Sequence, residues 1–267
     1  MKITANGVRV HYTVEGPETA PVITLSHSLA TDLSMWEPQM EPLVKSFRVL
    51  RYDTRGHGKT EAPQGPYSLE MLANDALGLL RALNIEKTFF MGISLGGMIG
   101  QVLGLKAPEL LSGLILCDTA SRIPDEAGSV WSERMEAVRQ KGMESQIEST
   151  IARWFTPPFR DRRPEVIERV GTMIRGTSPT GYIGCAHAIR ELNLSENIGR
   201  IPVPTLILVG EEDPGTPVSA SEEIHERIKG SELVILKSAA HLSNMEQSEA
   251  FNRAVLDFLG RVSSFEP

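Results

Sequence analysis

Apolar residues along this chain cluster in short runs that are separated by longer mixed segments. Residues 3–14 alternate between apolar and polar positions around Asn6-Gly7, a dipeptide suited to a turn with positive φ at both positions, and predict a β-hairpin. Six later runs are short and mainly apolar, and the last three are typical of strands covered on both faces. These runs span residues 22–25, 48–52, 88–91, 113–117, 205–209 and 233–236.

The segments between several of these runs have the spacing of amphipathic helices. Strands that alternate with helices predict a mostly parallel sheet with helices on both faces, so the predicted fold class is α/β in three layers. The predicted helices lie near residues 68–83, 95–107, 218–229 and 248–259.

One long segment interrupts this alternation. Residues 121–197 carry helical spacing, many charges and Pro157-Pro158, but no good strand signal. We expect them to form a helical cap inserted into a core domain made of residues 1–120 and 198–267. A chain of 267 residues is long enough to bury one such core.

The strongest chemical signal is Gly92-Ile93-Ser94-Leu95-Gly96, which lies between a predicted strand and a predicted helix. In that context a G-x-S-x-G turn holds its serine on a tight elbow with the hydroxyl exposed, and the small flanking residues avoid clashes. We interpret Ser94 as a nucleophile. The other interpretation is a structural glycine-rich turn.

A serine nucleophile needs a base, and the base needs a partner that fixes its tautomer. Asp213 follows the fifth apolar run and His241 follows the sixth, which gives the chain order serine, acid, histidine. Glu211 and Glu212 remain rivals for the acid, and Asp213 could instead cap a turn or helix. The predicted catalytic residues are therefore Ser94, Asp213 and His241.

The carbonyl oxygen under attack develops negative charge, which preorganised donors must stabilise. One predicted donor is the backbone N–H of Leu95, directly after the nucleophile. The other is the N–H of Leu29, in the loop after the first of the six runs. The Ser28 hydroxyl is either a further donor or a structural part of this loop.

Composition limits the partners of the protein. The formal charge is −7 and the basic residues are scattered, so we expect neither nucleic acid nor an anionic membrane as a partner. No run approaches the ~20 apolar residues of a membrane span, and no signal peptide precedes the first strand, which predicts a cytoplasmic protein. Cys117 and Cys185 lack metal-ligand spacing and are interpreted as ordinary buried thiols. The sequence does not predict an oligomeric state.

Together these motifs resemble those of a known superfamily, the α/β-hydrolases. The matching motifs are Asp53-x-Arg55-Gly56-x-Gly58, Gly92-x-Ser94-x-Gly96-Gly97 and the loops of Asp213 and His241. Within the superfamily the chain resembles the 3-oxoadipate enol-lactonase group at residues 28–36, 153–157, 181–185 and 241–246. The resemblance implies an α/β-hydrolase fold and hydrolysis of a lactone that carries a carboxylate tail.

The predicted function is hydrolysis of a small-molecule ester or lactone through an acyl-enzyme, which requires no metal or organic cofactor. The alternatives are a general short-chain carboxylesterase, a carbon–carbon bond hydrolase, a cofactor-free perhydrolase and a ligand receptor on the hydrolase scaffold. In the expected cap, Trp154, Arg153 and Arg190 are candidate contacts for an anionic substrate with an apolar body, because arginine binds a carboxylate bidentately.

Overall fold

The chain opens with the β-hairpin that its sequence predicts. In the computed structural model of the protein, which describes residues 1–263, β1 (Lys2–Ala5) and β2 (Val8–Glu15) pair antiparallel. Asn6 and Gly7 lie between them with φ values of 47° and 79°. These are the conformations that a two-residue hairpin turn requires and that asparagine and glycine adopt most readily. The end of the expected core domain, residues 264–267, lies outside the described residues.

Six further strands follow the hairpin. They are β3 (Val22–Ser26), β4 (Arg48–Tyr52), β5 (Thr88–Ile93), β6 (Leu111–Cys117), β7 (Thr205–Gly210) and β8 (Glu232–Leu236). The strands of the described residues form one sheet in the order β1-β2-β4-β3-β5-β6-β7-β8. The pairs β1–β2 and β2–β4 are antiparallel, and the other neighbours are parallel. The predicted α/β class with a mostly parallel sheet is confirmed.

Helices cover both faces of this sheet. The α-helices of the described residues are α1 (Glu37–Leu43), α2 (Leu69–Ala82), α3 (Leu95–Lys106), α4 (Gly128–Lys141), α5 (Ile147–Trp154), α6 (Pro157–Arg162), α7 (Pro164–Gly176), α8 (Pro179–Arg190), α9 (Val218–Arg227), α10 (Ser243–Glu246) and α11 (Ser248–Ser263). α2, α3 and α9 lie on one face, and α1 and α11 lie on the other. The three-layer arrangement matches the expectation from the alternating pattern.

The strand β8 differs from the expectation that both of its faces are covered. Among the described strands it pairs with β7 alone, and the side chain of Ile235 is 39% exposed. A terminal strand lacks a neighbour on one side, so its apolar side chains are covered less completely. The apolar run predicts a strand but does not show that this strand ends the sheet.

Residues 118–204, hereafter the helical segment, join β6 to β7. They contain α4 to α8 and no β-strand, and their backbone is described throughout. Within the segment α4 contacts α8, and α8 also contacts α2 beside the sheet. The content of the helical segment matches the expected cap, whose division from the core stays a prediction.

Candidate active site

The carboxyl ends of the parallel strands bring the predicted catalytic residues to one edge of the sheet. Ser94 follows β5, Asp213 follows β7, His241 follows β8, and Leu29 follows β3. In open α/β sheets this edge is where ligands bind, because the loops that leave it surround a crevice. The topology therefore gathers residues that are far apart in the sequence.

The turn from β5 to α3 holds Ser94 in a strained backbone conformation, with φ 54° and ψ −114°. A β-carbon on Gly96 would lie 2.1 Å from the carbonyl oxygen of Ser26, and one on Gly92 would lie 2.1 Å from the oxygen of Gly96. Only glycine fits at these two positions. The Ser94 N–H donates to the carbonyl of Cys117 at 2.9 Å, which fixes the elbow against β6.

Asp213 and His241 form a buried hydrogen-bonded pair. The distance from His241 Nδ1 to Asp213 Oδ2 is 2.7 Å. The Asp213 carboxylate also accepts from the Thr216 hydroxyl at 2.6 Å and from the backbone N–H groups of Gly215 and Thr216 at 2.7 Å and 3.1 Å. Because the carboxylate accepts, Nδ1 carries the proton, and Nε2 of the neutral ring is free to accept another.

The two partners shift each other's pKa in opposite directions. Burial by itself raises the pKa of Asp213, but the charge of His241 and the hydrogen bonds from His241 and Thr216 outweigh burial and lower it. Burial by itself lowers the pKa of His241, but the charge and hydrogen bond of Asp213 outweigh that effect and raise it. The pair therefore favours a carboxylate beside a histidine of increased basicity.

A second carboxyl, that of Asp118, connects the loops of this pair. It follows β6 and is fully buried, accepting from the Gly210 N–H at 2.8 Å and from the Ser243 hydroxyl at 2.5 Å. Gly210 precedes Asp213 by three residues, and Ser243 follows His241 by two. Burial, and then the charge of Asp213, raise the pKa of Asp118 to about 8.

The loop after β3 orients the peptide group between Ser28 and Leu29. The carbonyl of Ser28 accepts from His27 Nδ1 at 2.7 Å and from the Thr31 hydroxyl at 2.8 Å. The N–H and C=O of a trans peptide point in opposite directions, so the Leu29 N–H points away from these two side chains. The Leu95 N–H is also available, because Leu95 is the first residue of α3 and has no intrahelical acceptor.

Two buried histidines hold this loop against the loop after β4. The Thr54 N–H donates to His27 Nε2 at 2.9 Å, and the Ala30 N–H donates to His57 Nε2 at 3.0 Å. Both rings are therefore neutral with the proton on Nδ1. Burial lowers the pKa of both, that of His57 to about 3 with a further contribution from the charge of His27. These contacts give the two histidines a structural role in holding the loops together.

A cavity of about 250 Å³ joins the sheet edge to the helical segment. Its base is lined by Ser94 and His241, together with Leu29. Trp154 and Arg153, at the end of α5, line it from the helical segment. The Trp154 ring stacks on His241 with centroids 6.1 Å apart and 28° between the planes. Two of the three predicted substrate contacts therefore lie at the cavity.

Arg190 does not lie at this cavity, contrary to the expectation. Its guanidinium forms an ion pair with Glu191 at 3.0 Å, and the cavity is lined instead by the preceding residue, Ile189. Successive residues of a helix are rotated by about 100°, so neighbours in sequence face different directions. The presence of an arginine in the expected cap does not show which face of its helix it occupies.

Arg134 of α4 lines the cavity and was not predicted. Its guanidinium lies 4.8 Å from the centroid of the Trp131 ring, which also lines the cavity. The helical spacing of Trp131 and Arg134 with the buried Met135 and Val138 places all four on one face of α4, and this pattern could have indicated the inward position. Burial, and then the charge of Arg134, lower the pKa of Arg153.

Glu246 of α10 connects the helical segment to the loop that carries the histidine. Its carboxylate accepts from the Ala240 N–H at 2.9 Å, from the Thr156 N–H at 3.1 Å and from the Thr156 hydroxyl. Alongside it, the Leu242 N–H donates to the Trp154 carbonyl at 3.2 Å. Glu246 is the last of residues 241–246, which resemble the enol-lactonase group, but the sequence pattern indicates no role for it.

The described residues lack two kinds of feature. Within residues 1–263 there is no group of three or more histidines, cysteines, aspartates or glutamates that could hold a metal ion. Within the same residues, no helix combines the length and apolar character needed to cross a membrane. The two cysteines of the chain are free and buried.

Residues 21–248 match the family described as alpha/beta hydrolase fold. The chain belongs to this family. Among curated members it is 37% identical over 253 residues to a protein named 3-oxoadipate enol-lactonase 2, from Acinetobacter baylyi. That alignment covers 95% of this chain and 94% of the relative, so it spans the sheet and the helical segment together.

Solved α/β-hydrolase structures show the same likeness. An enol-lactonase from Burkholderia xenovorans superposes with a TM-score of 0.95 at 39% identity, covering 97% of this chain and all of that one. A thermophilic esterase from Thermogutta terrifontis, solved with malate bound, has a TM-score of 0.92 at 31% identity and 98% coverage of both chains. The protein is therefore a carboxylic ester or lactone hydrolase, and its resemblance to the enol-lactonase group is confirmed.

Proposed function

We propose that this α/β-hydrolase opens 3-oxoadipate enol-lactone through an acyl-enzyme formed on Ser94. The observation that carries the proposal is the cavity, whose lining includes Ser94 and His241 together with two arginines, Arg134 and Arg153. Among the described residues no carboxylate forms an ion pair with either arginine. A substrate with a reactive carbonyl and a separate carboxylate matches both sets of lining residues.

In the proposed reaction His241 Nε2 takes the proton of Ser94 as its oxygen attacks the lactone carbonyl. Asp213 fixes the tautomer that leaves Nε2 free, and its charge stabilises the protonated ring. The N–H groups of Leu29 and Leu95 donate to the oxygen that becomes negative. When the ring C–O bond breaks, His241 returns the proton to the leaving enol oxygen.

The second half of the reaction releases the acid. Because a lactone carries its alcohol on the acyl chain, the enol stays attached to the enzyme until water attacks the Ser94 ester. His241 takes the proton from that water and returns it to the Ser94 oxygen. The freed enol then tautomerises to the ketone, so one lactone and one water give one oxo-diacid.

Trp154 and the two arginines account for selectivity in this proposal. An arginine guanidinium binds a carboxylate with two parallel hydrogen bonds, and partial burial strengthens that contact. Arg153 is held by only one described side-chain contact, a hydrogen bond of 3.2 Å to Thr150. The enol-lactone names of the curated relative and of the solved structure support the same substrate class.

The test compares kcat/KM for 3-oxoadipate enol-lactone with that for p-nitrophenyl acetate, a neutral ester. We expect a preference for the lactone of several orders of magnitude, and loss of both activities in Ser94→Ala. Arg153→Met should lower the lactone value about 10- to 100-fold, the worth of a hydrogen bond to a charged group, and leave the ester value nearly unchanged. Arg190→Met, outside the cavity, is the matched control.

Preference for the neutral ester would indicate a general carboxylesterase. The similarity to the Thermogutta terrifontis esterase supports this alternative. Activity that persists in Ser94→Ala would contradict the acyl-enzyme mechanism itself. Ligand binding with no turnover of either substrate would favour a receptor on the hydrolase scaffold.

A further inference from the structure

Hydrogen bonds fix the backbone of Ser28 beside the candidate oxyanion site. Its N–H donates to the sulfur of Met35 at 3.3 Å, and its carbonyl accepts from His27 and Thr31 as described above. Three contacts therefore fix the main chain of Ser28 directly before Leu29. This anchored backbone determines where the β-carbon of Ser28 lies.

The hydroxyl of Ser28, unlike its backbone groups, has no described partner. Ser28 is fully buried and lines the cavity, yet its Oγ has no hydrogen-bond partner among the described residues. Buried polar atoms are nearly always paired in native proteins, because a lone donor loses its hydration without compensation. A group that stays unpaired in the wall of a cavity is suited to bind whatever enters that cavity.

We propose that the Ser28 hydroxyl is a third donor to the carbonyl oxygen under attack, beside the N–H groups of Leu29 and Leu95. This inference rests on the proposed acyl-enzyme function and adds a catalytic residue to it. The hydroxyl donates a hydrogen bond and does not transfer its proton. It is no rival nucleophile, because it has no base as partner, whereas a serine nucleophile requires one.

A donor of this kind acts mainly on the transition state. The carbonyl oxygen of the bound lactone is neutral and becomes negative only when Ser94 attacks, so the hydrogen bond strengthens at that moment. Removing the hydroxyl should therefore lower kcat and change KM little. It should not lower the melting temperature, because no protein group loses a partner.

The experiment is Ser28→Ala, measured with the lactone and with the neutral ester. We expect kcat to fall about 10- to 100-fold for both substrates, a loss somewhat smaller than that for a main oxyanion donor. KM should stay within about threefold of the wild-type value. The affinity for a boronic acid that forms a tetrahedral adduct with Ser94 should fall in parallel. The melting temperature should stay at or above the wild-type value.

Ser221→Ala is the matched control. The hydroxyl of Ser221 is likewise buried and without a described partner, but it lies on α9 and does not line the cavity. We expect unchanged kcat in this variant. Ser28→Cys is a second variant for the case in which alanine disturbs folding, because cysteine has a similar volume and is only a weak hydrogen-bond donor. It should melt at the wild-type temperature and have a reduced kcat.

Three results would overturn the inference. Wild-type kcat in a folded Ser28→Ala or Ser28→Cys would show that the hydroxyl has no catalytic contact. A rise in KM at constant kcat would assign it to ground-state binding, and a fall in kcat that tracks a fall in melting temperature would assign it to structure. If Ser94→Ala is inactive and Ser28→Ala is normally active, only this inference is refuted. If Ser94→Ala remains active, the proposed function is refuted.

Discussion

The basicity of His241 depends mainly on the Asp213 carboxylate, with a smaller contribution from the charge of Asp118. In the proposed mechanism a protonated His241 cannot accept the Ser94 proton, so kcat/KM should fall as the pH is lowered through the pKa of this histidine. Because Asp213 raises that pKa, the fall should lie above the ordinary histidine value of about 6.5. The histidine remains buried without the carboxylate, and burial alone lowers its pKa.

Asp213→Asn should therefore move the acid limb of the kcat/KM profile to lower pH. It should also reduce kcat about 10³- to 10⁴-fold, since the amide favours the wrong tautomer of His241. Glu212→Gln, an exposed neighbour and the rival acid of the sequence analysis, serves as control in the same pH–rate measurements. An acid limb that stays in place in Asp213→Asn, or a comparable loss in Glu212→Gln, would assign the role to another carboxylate.

Single residues were predictable where backbone topology determines their position. Ser94, Asp213 and His241 each follow a strand, and the carboxyl ends of parallel strands meet at one edge whatever the side chains are. Arg134 and Arg190 show the limit of this reasoning, because which face of a helix lines a cavity depends on how α4 and α8 pack. The pairing of Glu246 with Thr156 joins residues 90 positions apart, and no local pattern encodes it.

At the scale of elements, Glu246 links the cavity lining of the helical segment to the position of the base. The backbone N–H groups that it accepts from can only donate, so both of its oxygens act as acceptors. Burial raises the pKa of Glu246, although hydrogen bonds from Thr156 and Ala240 oppose the shift. The link therefore depends on both oxygens of Glu246 as acceptors.

Glu246→Gln replaces one acceptor oxygen with an NH₂ group that faces N–H donors. We expect KM for the lactone to rise and kcat to fall. Together these changes should lower kcat/KM about 10- to 100-fold, the effect of losing a hydrogen bond to a charged group. Steady-state kinetics of the lactone and the melting temperature check this, with Glu249→Gln on the exposed part of α11 as control. Unchanged lactone kinetics in a folded Glu246→Gln would show that the cavity lining and the base are independent.

At the scale of the whole molecule, the alternation of apolar runs and helical segments predicts the architecture well. Each predicted strand is present, and the helices near 68–83, 95–107, 218–229 and 248–259 correspond to α2, α3, α9 and α11. The strand order, with β3 between β4 and β5, is not encoded in any single run. The partial exposure of β8 follows from that order, which explains why its local apolar pattern predicts too much burial.

The backbone of Ser94 links activity to the free energy of unfolding of the entire domain. A non-glycine residue at positive φ costs about 1–3 kcal/mol, and glycine recovers most of this after its own entropy loss of about 0.5–1 kcal/mol. Ser94→Ala keeps the β-carbon and therefore the strain, whereas Ser94→Gly removes it. For each kcal/mol of unfolding free energy gained, Ser94→Gly should melt about 2–4 °C higher than Ser94→Ala. Equal melting of these two variants in a thermal scan would contradict this expectation. A difference would mean that the fold tolerates a permanent destabilisation at the proposed nucleophile.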